Sequence, residues 1–278
     1  MKSRILTALI ALPVLIASIL FSQLWLLFVA LAFVAMALGL YEFWLLAKKR
    51  GIKVDTSVSA FGAIGLFACF FFDGPAKGPD LLLIVITGFV IIALVAEMLR
   101  AHHFEKMISQ ASATILSTFY LFLLGSHLIA IRLGFGFEQN PALSTDLLCF
   151  FFLILMGSDT GAYFVGRTLG KHKLAPKISP GKTWEGFVGG MAASLGFAVL
   201  AHYWFFRELP LKWALPLAAA MNVLGVIGDL VESALKRGSD TKDAATLLPG
   251  HGGLLDRLDS LLFNAPLLYY FAKFYFQP

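Results

Sequence analysis

Apolar residues in this chain come in long runs separated by short polar connections. A helix needs roughly 17–25 residues to cross a hydrocarbon core, and nine runs approach that length: 5–22, 24–46, 58–73, 80–98, 108–131, 145–166, 185–206, 211–230 and 255–275. The third is short and is ended by Gly74 and Pro75, and the last two carry acids. The pattern predicts an all-α fold, a polytopic integral membrane helical bundle of about nine transmembrane helices. No repeat, low-complexity tract or soluble linker interrupts it, so 1–278 reads as a single transmembrane domain. Residues 1–140 supply N-terminal hydrophobic spans, and 141–278 form a second half holding the two most polar connections, 167–184 and 234–254.

Composition agrees with that solvent. Hydrophobic residues make up 59% of the chain and charged ones 14%, too few to coat a water-exposed surface. The start, "MKSRILTALIALPVLIASILF", has the basic head and apolar core of a signal peptide. Its apolar run is long and is followed at once by another, so it reads as a retained first span. Cys69 and Cys149 lie inside apolar runs as small buried hydrophobes, which argues against a disulfide framework or a metal pair.

The net charge of +5 is dispersed among spans, which fits membrane topology and not nucleic-acid binding. With the N-terminus in the cytoplasm, 17 of the 22 Lys and Arg fall on cytoplasmic connections. The positive-inside bias therefore predicts a cytoplasmic N-terminus, with 167–184 and 234–254 on that same side.

Intramembrane carboxylates are costly, about 2.5–3.5 kcal/mol each at a helix centre on insertion scales, so each calls for a partner or a function. Asp159, Asp229, Glu232, Asp256 and Asp259 gather near the cytoplasmic ends of the sixth, eighth and ninth runs. Asp229 and Glu232 are three apart, as are Asp256 and Asp259, so each pair shares a helix face. Two such faces would make an oxygen-rich pocket for a hard cation such as Mg²⁺ with phosphate oxygens as further ligands. On spacing alone, pairing with Arg257, Lys236 or Arg237 to seal helix ends explains them equally well.

Glycines favour the first reading. In "PGHGGLLDR", Pro249, Gly250, Gly252 and Gly253 expose backbone amides just before a helix whose N-terminus favours anions. Lys236, Arg237 and Lys242 add positive charge, and His251 reads either as an ordinary loop hydrogen-bonder or as a phosphate or metal contact. In 157–190, "GKT" at Gly181 to Thr183 imitates the end of a P-loop, but Pro176 stands where the first glycine is required. That excludes a P-loop ATPase. Ser179 and Pro180 are expected to start a turn or helix before the seventh span. Glu42 and Glu97 read as structural acids that snorkel or pair with the following bases, while His102, His103, His127 and His202 form no ligand set.

The stretch "SALKRGSDTKDAATLLPGHGGLLDRLDS" resembles the C-terminal signature of the phosphatidate cytidylyltransferases, or CDP-diacylglycerol synthases. Ser233, Lys236, Arg237, Lys242, Asp243, Pro249, His251, Gly252, Gly253, Asp256, Arg257 and Asp259 fall in register. The upstream "SDTGAYFVGRTLGKHKLAPKISPGKTWEG" is similar to that family's other polar stretch, whereas the first half matches only as apolar spans.

The resemblance implies that CTP and phosphatidic acid give CDP-diacylglycerol and pyrophosphate with Mg²⁺, a second cation being allowed, and makes 141–278 the catalytic half. It implies Asp229 and Asp256 as metal ligands, with Asp259 and Asp243 in support. Lys236, Arg237, Lys242, His251 and Arg257 would handle phosphates, and Asp159, Lys171 and Lys182 would help bind CTP. It places the protein in a bacterial cytoplasmic membrane among membrane lipids, active site inward, with no nucleic-acid partner; a homodimer is left open. Two rivals stand beside it: a CTP-dependent kinase of a polyprenol-like alcohol, and an ion-coupled transporter, whose site belongs nearer the bilayer midplane.

Overall fold

Each of the nine apolar runs coincides with helix. The computed structural model describes residues 2–72, 80–100, 104–135, 141–239 and 253–276, with backbone alone for 2–10 and for Asp80. The helices are α1 (Lys2–Leu20), α2 (Trp25–Lys49), α3 (Thr56–Phe72), α4 (Asp80–Arg100), α5 (Met107–Thr118), α6 (Leu124–Gly134), α7 (Leu143–Leu169), α8 (Trp184–Trp204), α9 (Leu211–Gly238) and α10 (Leu255–Phe276). A π-helical turn at Phe119–Leu123 joins α5 to α6. Six helical stretches among the described residues are long and apolar enough to cross a membrane: Ser22–Lys49, Leu81–Arg100, Phe104–Gly134, Leu143–Leu169, Trp184–Trp204 and Leu211–Gly238.

Large apolar side chains such as Phe61, Leu83, Ile84 and Tyr203 are exposed on the outer surface, as expected where the surrounding solvent is lipid. Because lipid tails are as apolar as leucine, helix association rests on close packing and internal hydrogen bonds. Both are visible. The densest packing joins α7 to α8. Gly157 and Gly161 sit one turn apart on α7, and a Cβ added at Gly161 would lie 2.6 Å from the Ala193 Cβ and 2.8 Å from the Gly189 carbonyl. In the first half a polar seam joins α3 to α5: the Ser59 hydroxyl lies 2.8 Å from that of Thr118 and accepts from the Trp44 indole at 3.2 Å. Asp55 caps α3 by accepting from the Val58 amide and pairs with Arg100.

Sheet is confined to one hairpin between α7 and α8, with β1 (Lys173–Ala175) antiparallel to β2 (Ser179–Thr183). Ser179 and Pro180 therefore lie in a strand, which corrects the expectation that they start a turn or helix. The α8 start is set by Thr183 instead, whose extended backbone and hydroxyl, accepting from the Gly186 amide at 3.1 Å, form an N-cap. Glu185 fixes the hairpin's other arm by accepting from the Lys171 and His172 amides and lying 2.6 Å from His172 Nδ1.

Two helices overshoot. At 1.5 Å per residue, α7 and α9, with 27 and 28 residues, are about 40 Å long, against about 30 Å of hydrocarbon. The surplus on each is about 10 Å, or about seven residues. α9 runs to Gly238, so Lys236 and Arg237 lie on its last turn and not in a loop.

Candidate active site

A cavity of about 460 Å³ opens where α7, the hairpin, α8, α9 and α10 converge. Its polar wall includes Ser158 and Asp159 of α7, Lys182 of β2, Asp229 of α9 and Ser260 of α10. Tyr163 and Arg167, one turn apart on α7, line the same space, with the guanidinium 2.7 Å from the phenol oxygen. Small residues make room for it: Gly166, Gly181, Gly186 and Gly225 all line the cavity.

Lys182 is the central cation. Its Nζ lies 2.6 Å from Asp229 Oδ2 and 3.5 Å from the Val226 carbonyl, so β2 is tied to α9 across the cavity. Asp159 and Asp259 both lie within electrostatic reach of Asp229 and Lys182. Asp259 is buried and accepts from the Ser260 amide at 2.5 Å and hydroxyl at 3.1 Å. At this level α9 and α10 nearly touch: a Cβ at Gly228 would lie 2.5 Å from the Asp259 carbonyl oxygen.

One turn later on α9 and one turn earlier on α10 is a second charged layer. Lys236 Nζ bridges Glu232 at 2.8 Å and Asp256 at 2.9 Å. Glu232 is only 1% exposed, and its Oε1 has no hydrogen-bond partner. The four acids on α9 and α10 thus form two layers, each with its own lysine. Asp229 and Asp256 fall in different layers, and Asp256 does not line the cavity.

The other residues singled out in the sequence divide clearly. Arg237 donates from Nε to the Ile178 carbonyl at 3.3 Å, tying the end of α9 to the hairpin. Arg257 is exposed in the first turn of α10, within electrostatic reach of Asp256. Lys171 is exposed, and its contribution is the backbone bond to Glu185. Lys242, Asp243 and His251 lie outside the described residues.

Sequence reasoning passed over two buried polar residues behind the cavity wall. Asn222, buried on α9, donates to the Ser158 hydroxyl at 2.6 Å, leaving its Oδ1 without a partner. Its signal was available: it stands seven residues, two turns, before Asp229 on the same helix face. Tyr120, on the π turn, buries a hydroxyl without a partner within electrostatic reach of Asp259, Glu232 and Asp229. π turns are frequent at functional sites, but nothing in "TFYLFLL" announces one.

The donor set is all oxygen, suited to a hard divalent cation. Among the described residues no three His, Cys, Asp or Glu side chains converge on one point. A Mg²⁺ ion does not require that, since it is held by one or two carboxylates plus water and substrate phosphates. Asp229 and Asp256 each already hold an ammonium within 3 Å, so both are able to hold a cation.

A family model described as "Cytidylyltransferase family" matches residues 2–275. Among curated proteins, a phosphatidate cytidylyltransferase of Haemophilus influenzae is 32% identical over 99% of both chains. Those of Bacillus subtilis and Staphylococcus haemolyticus are 49% and 44% identical over shorter stretches, which cover 44% and 53% of those proteins and 42% and 49% of this chain. In these last two the likeness spans about half of each relative.

Proposed function

The chain belongs to the cytidylyltransferase family, and from that premise we propose that it transfers the cytidylyl group of CTP to phosphatidic acid, releasing CDP-diacylglycerol and pyrophosphate. The observation that carries this reading is the cavity itself, where Lys182, Arg167 and nearby glycines face Asp159 and Asp229 at the end of a membrane helix bundle. A water-borne polyanion can reach such an edge while a lipid keeps its tails in the bilayer. The helix ends there carry the chain's excess of Lys and Arg, which supports a cytoplasmic site, a cytoplasmic N-terminus and nine spans.

The chemistry needs no strong base. A phosphate monoester has a second pKa near 6 and is largely dianionic at neutral pH. Its oxygen attacks the α-phosphorus of CTP, the bond from that phosphorus to the β-phosphate bridging oxygen breaks, and the electron pair leaves with pyrophosphate. The task is to bring two polyanions together and hold them in line.

Lys182 and Arg167 offset phosphate charge at the cavity wall, while Lys236, Arg237 and Arg257 extend that field along the rim. Ser158 presents a polar edge for the nucleotide, held from behind by the buried Asn222 amide. Asp229 at the cavity wall would hold Mg²⁺ and Asp256, one layer away, a second cation, and ions held there would supply neutralising charge to the phosphates. Asp159 and Asp259 orient the lysine and the helix ends around them.

Purified protein given CTP labelled at the α-phosphate, phosphatidic acid and Mg²⁺ is expected to move label into lipid, and chelation is expected to stop it. Label entering lipid only from the γ-phosphate would overturn the assignment in favour of a lipid kinase.

A further inference from the structure

Glu42 lies on α2, in the half of the chain that contributes no cavity wall, and its side chain is fully buried. Among the described residues its hydrogen-bond partners are backbone amides and not the bases that follow it, which corrects the sequence expectation. The carboxylate accepts from two successive backbone amides at the start of α10: Leu254 N to Oε1 at 2.9 Å and Leu255 N to Oε2 at 2.8 Å. The contact closes across 212 and 213 residues of chain.

A helix start leaves its first amides without internal acceptors, and a nearby Ser, Thr, Asp or Asn usually supplies one. Here the adjoining residues are Gly253 and Leu254, which have no polar side chain to offer. A charged acceptor from a distant helix fills that role, and it is favoured by the positive end of the helix dipole. One turn earlier on α2, Gly39 allows close approach: a Cβ there would lie 3.2 Å from Leu258 Cδ1 of α10. Thus α2 grips the first turn of α10 at two successive levels.

That turn carries Asp256, bonded to Lys236, and the next carries Asp259. Successive helical residues are rotated by about 100°. A start displaced by one residue would therefore swing both carboxylates off the face they share with α9.

We infer that Glu42 is a positioning residue for the cytidylyl transfer proposed above, acting through the backbone of α10 to hold Asp256 and Asp259 against α9. The inference rests on that reading of the function, but its structural half does not.

The test compares wild type, Glu42→Gln and Glu42→Ala in lipid nanodiscs, measuring steady-state kinetics and amide hydrogen exchange over the first turn of α10. Glutamine keeps the shape but offers one acceptor oxygen, so it guards against a variant that fails to fold. Exchange is expected to quicken in both variants. kcat per folded molecule is expected to fall on the order of 10²-fold in Glu42→Ala and by less in Glu42→Gln, with KM for CTP within about twofold. Wild-type kcat in both folded variants would overturn the inference, as would unchanged exchange. A wild type that makes no CDP-lipid would overturn the proposed function instead, while the exchange measurement still decides whether Glu42 holds α10.

Discussion

Replacing Lys236 with methionine removes the ammonium that separates two carboxylates, while keeping most of the side chain's apolar stem. Its contacts to Glu232 and Asp256, at 2.8 and 2.9 Å, are each worth about 6 kcal/mol of Coulomb attraction at an effective dielectric of about 20. Desolvation of the three ions offsets most of that, at several kcal/mol per ion. Removing one partner forfeits the attraction but leaves the desolvation in place, so Lys236→Met is expected to lose about 3–5 kcal/mol of stability. Glu232 dominates the loss, because it is 1% exposed while Asp256, at 26%, can recover water. Adding Glu232→Gln removes the orphaned charge, and the double variant is expected to return to within about 1–2 kcal/mol of wild type. Denaturation in mixed micelles measures both. Turnover is expected to behave differently: neither variant has the ammonium proposed to offset substrate phosphate charge at the rim, so both are expected to lose about 10²-fold or more in kcat. Recovery of activity together with stability in the double variant would refute the reasoning and leave Lys236 as a structural counter-ion.

Further outcomes follow from the same geometry. Asp229→Ala is expected to abolish turnover while the protein still inserts, checked by initial rates beside membrane fractionation. Asn222→Ala breaks the bond to Ser158 and is expected to cost about 1–3 kcal/mol of stability, read as a lower melting temperature, and to raise KM for CTP. Gly161→Leu places a branched side chain where even a Cβ meets Ala193 and the Gly189 carbonyl. It is expected to separate α7 from α8 and to lower both stability and CTP binding, measured by thermal shift and equilibrium dialysis. A cytoplasm-only reporter fused after Lys173 is expected to be active, and silence there would reverse the assigned orientation.

The helices were legible because lipid exposure imposes long apolar runs, and each of the nine runs is helical. The acids were legible for the converse reason, that a carboxylate in an apolar run needs a partner. Which partner each one takes was not. Lys182 reads as the tail of a false P-loop, and only the hairpin β1–β2 brings it across to Asp229. Glu232 and Asp256 share Lys236 because α9 and α10 run side by side, a pairing that local spacing cannot distinguish from self-contained helix-end neutralisation. Glu42 was misjudged for the same reason: its amide partners are more than two hundred residues away, and periodicity reports only on near neighbours. Asn222 and Ser158 were overlooked because neutral polar residues carry little penalty in a helix and so leave a weaker mark than charge.

The glycine-lined contact between α7 and α8 also bears on how the chain enters its membrane. Each helix carries an acid, Asp159 on one and Glu185 on the other, and a lone segment leaving the insertion machinery would meet the bilayer with that burden unrelieved. Two segments joined by a short hairpin, and able to close upon each other backbone to backbone, can move laterally into lipid as one unit. The fit that shapes the finished cavity is on this view first a condition of biosynthesis, and bulky substitutions along it would also lower the amount of protein that reaches the membrane.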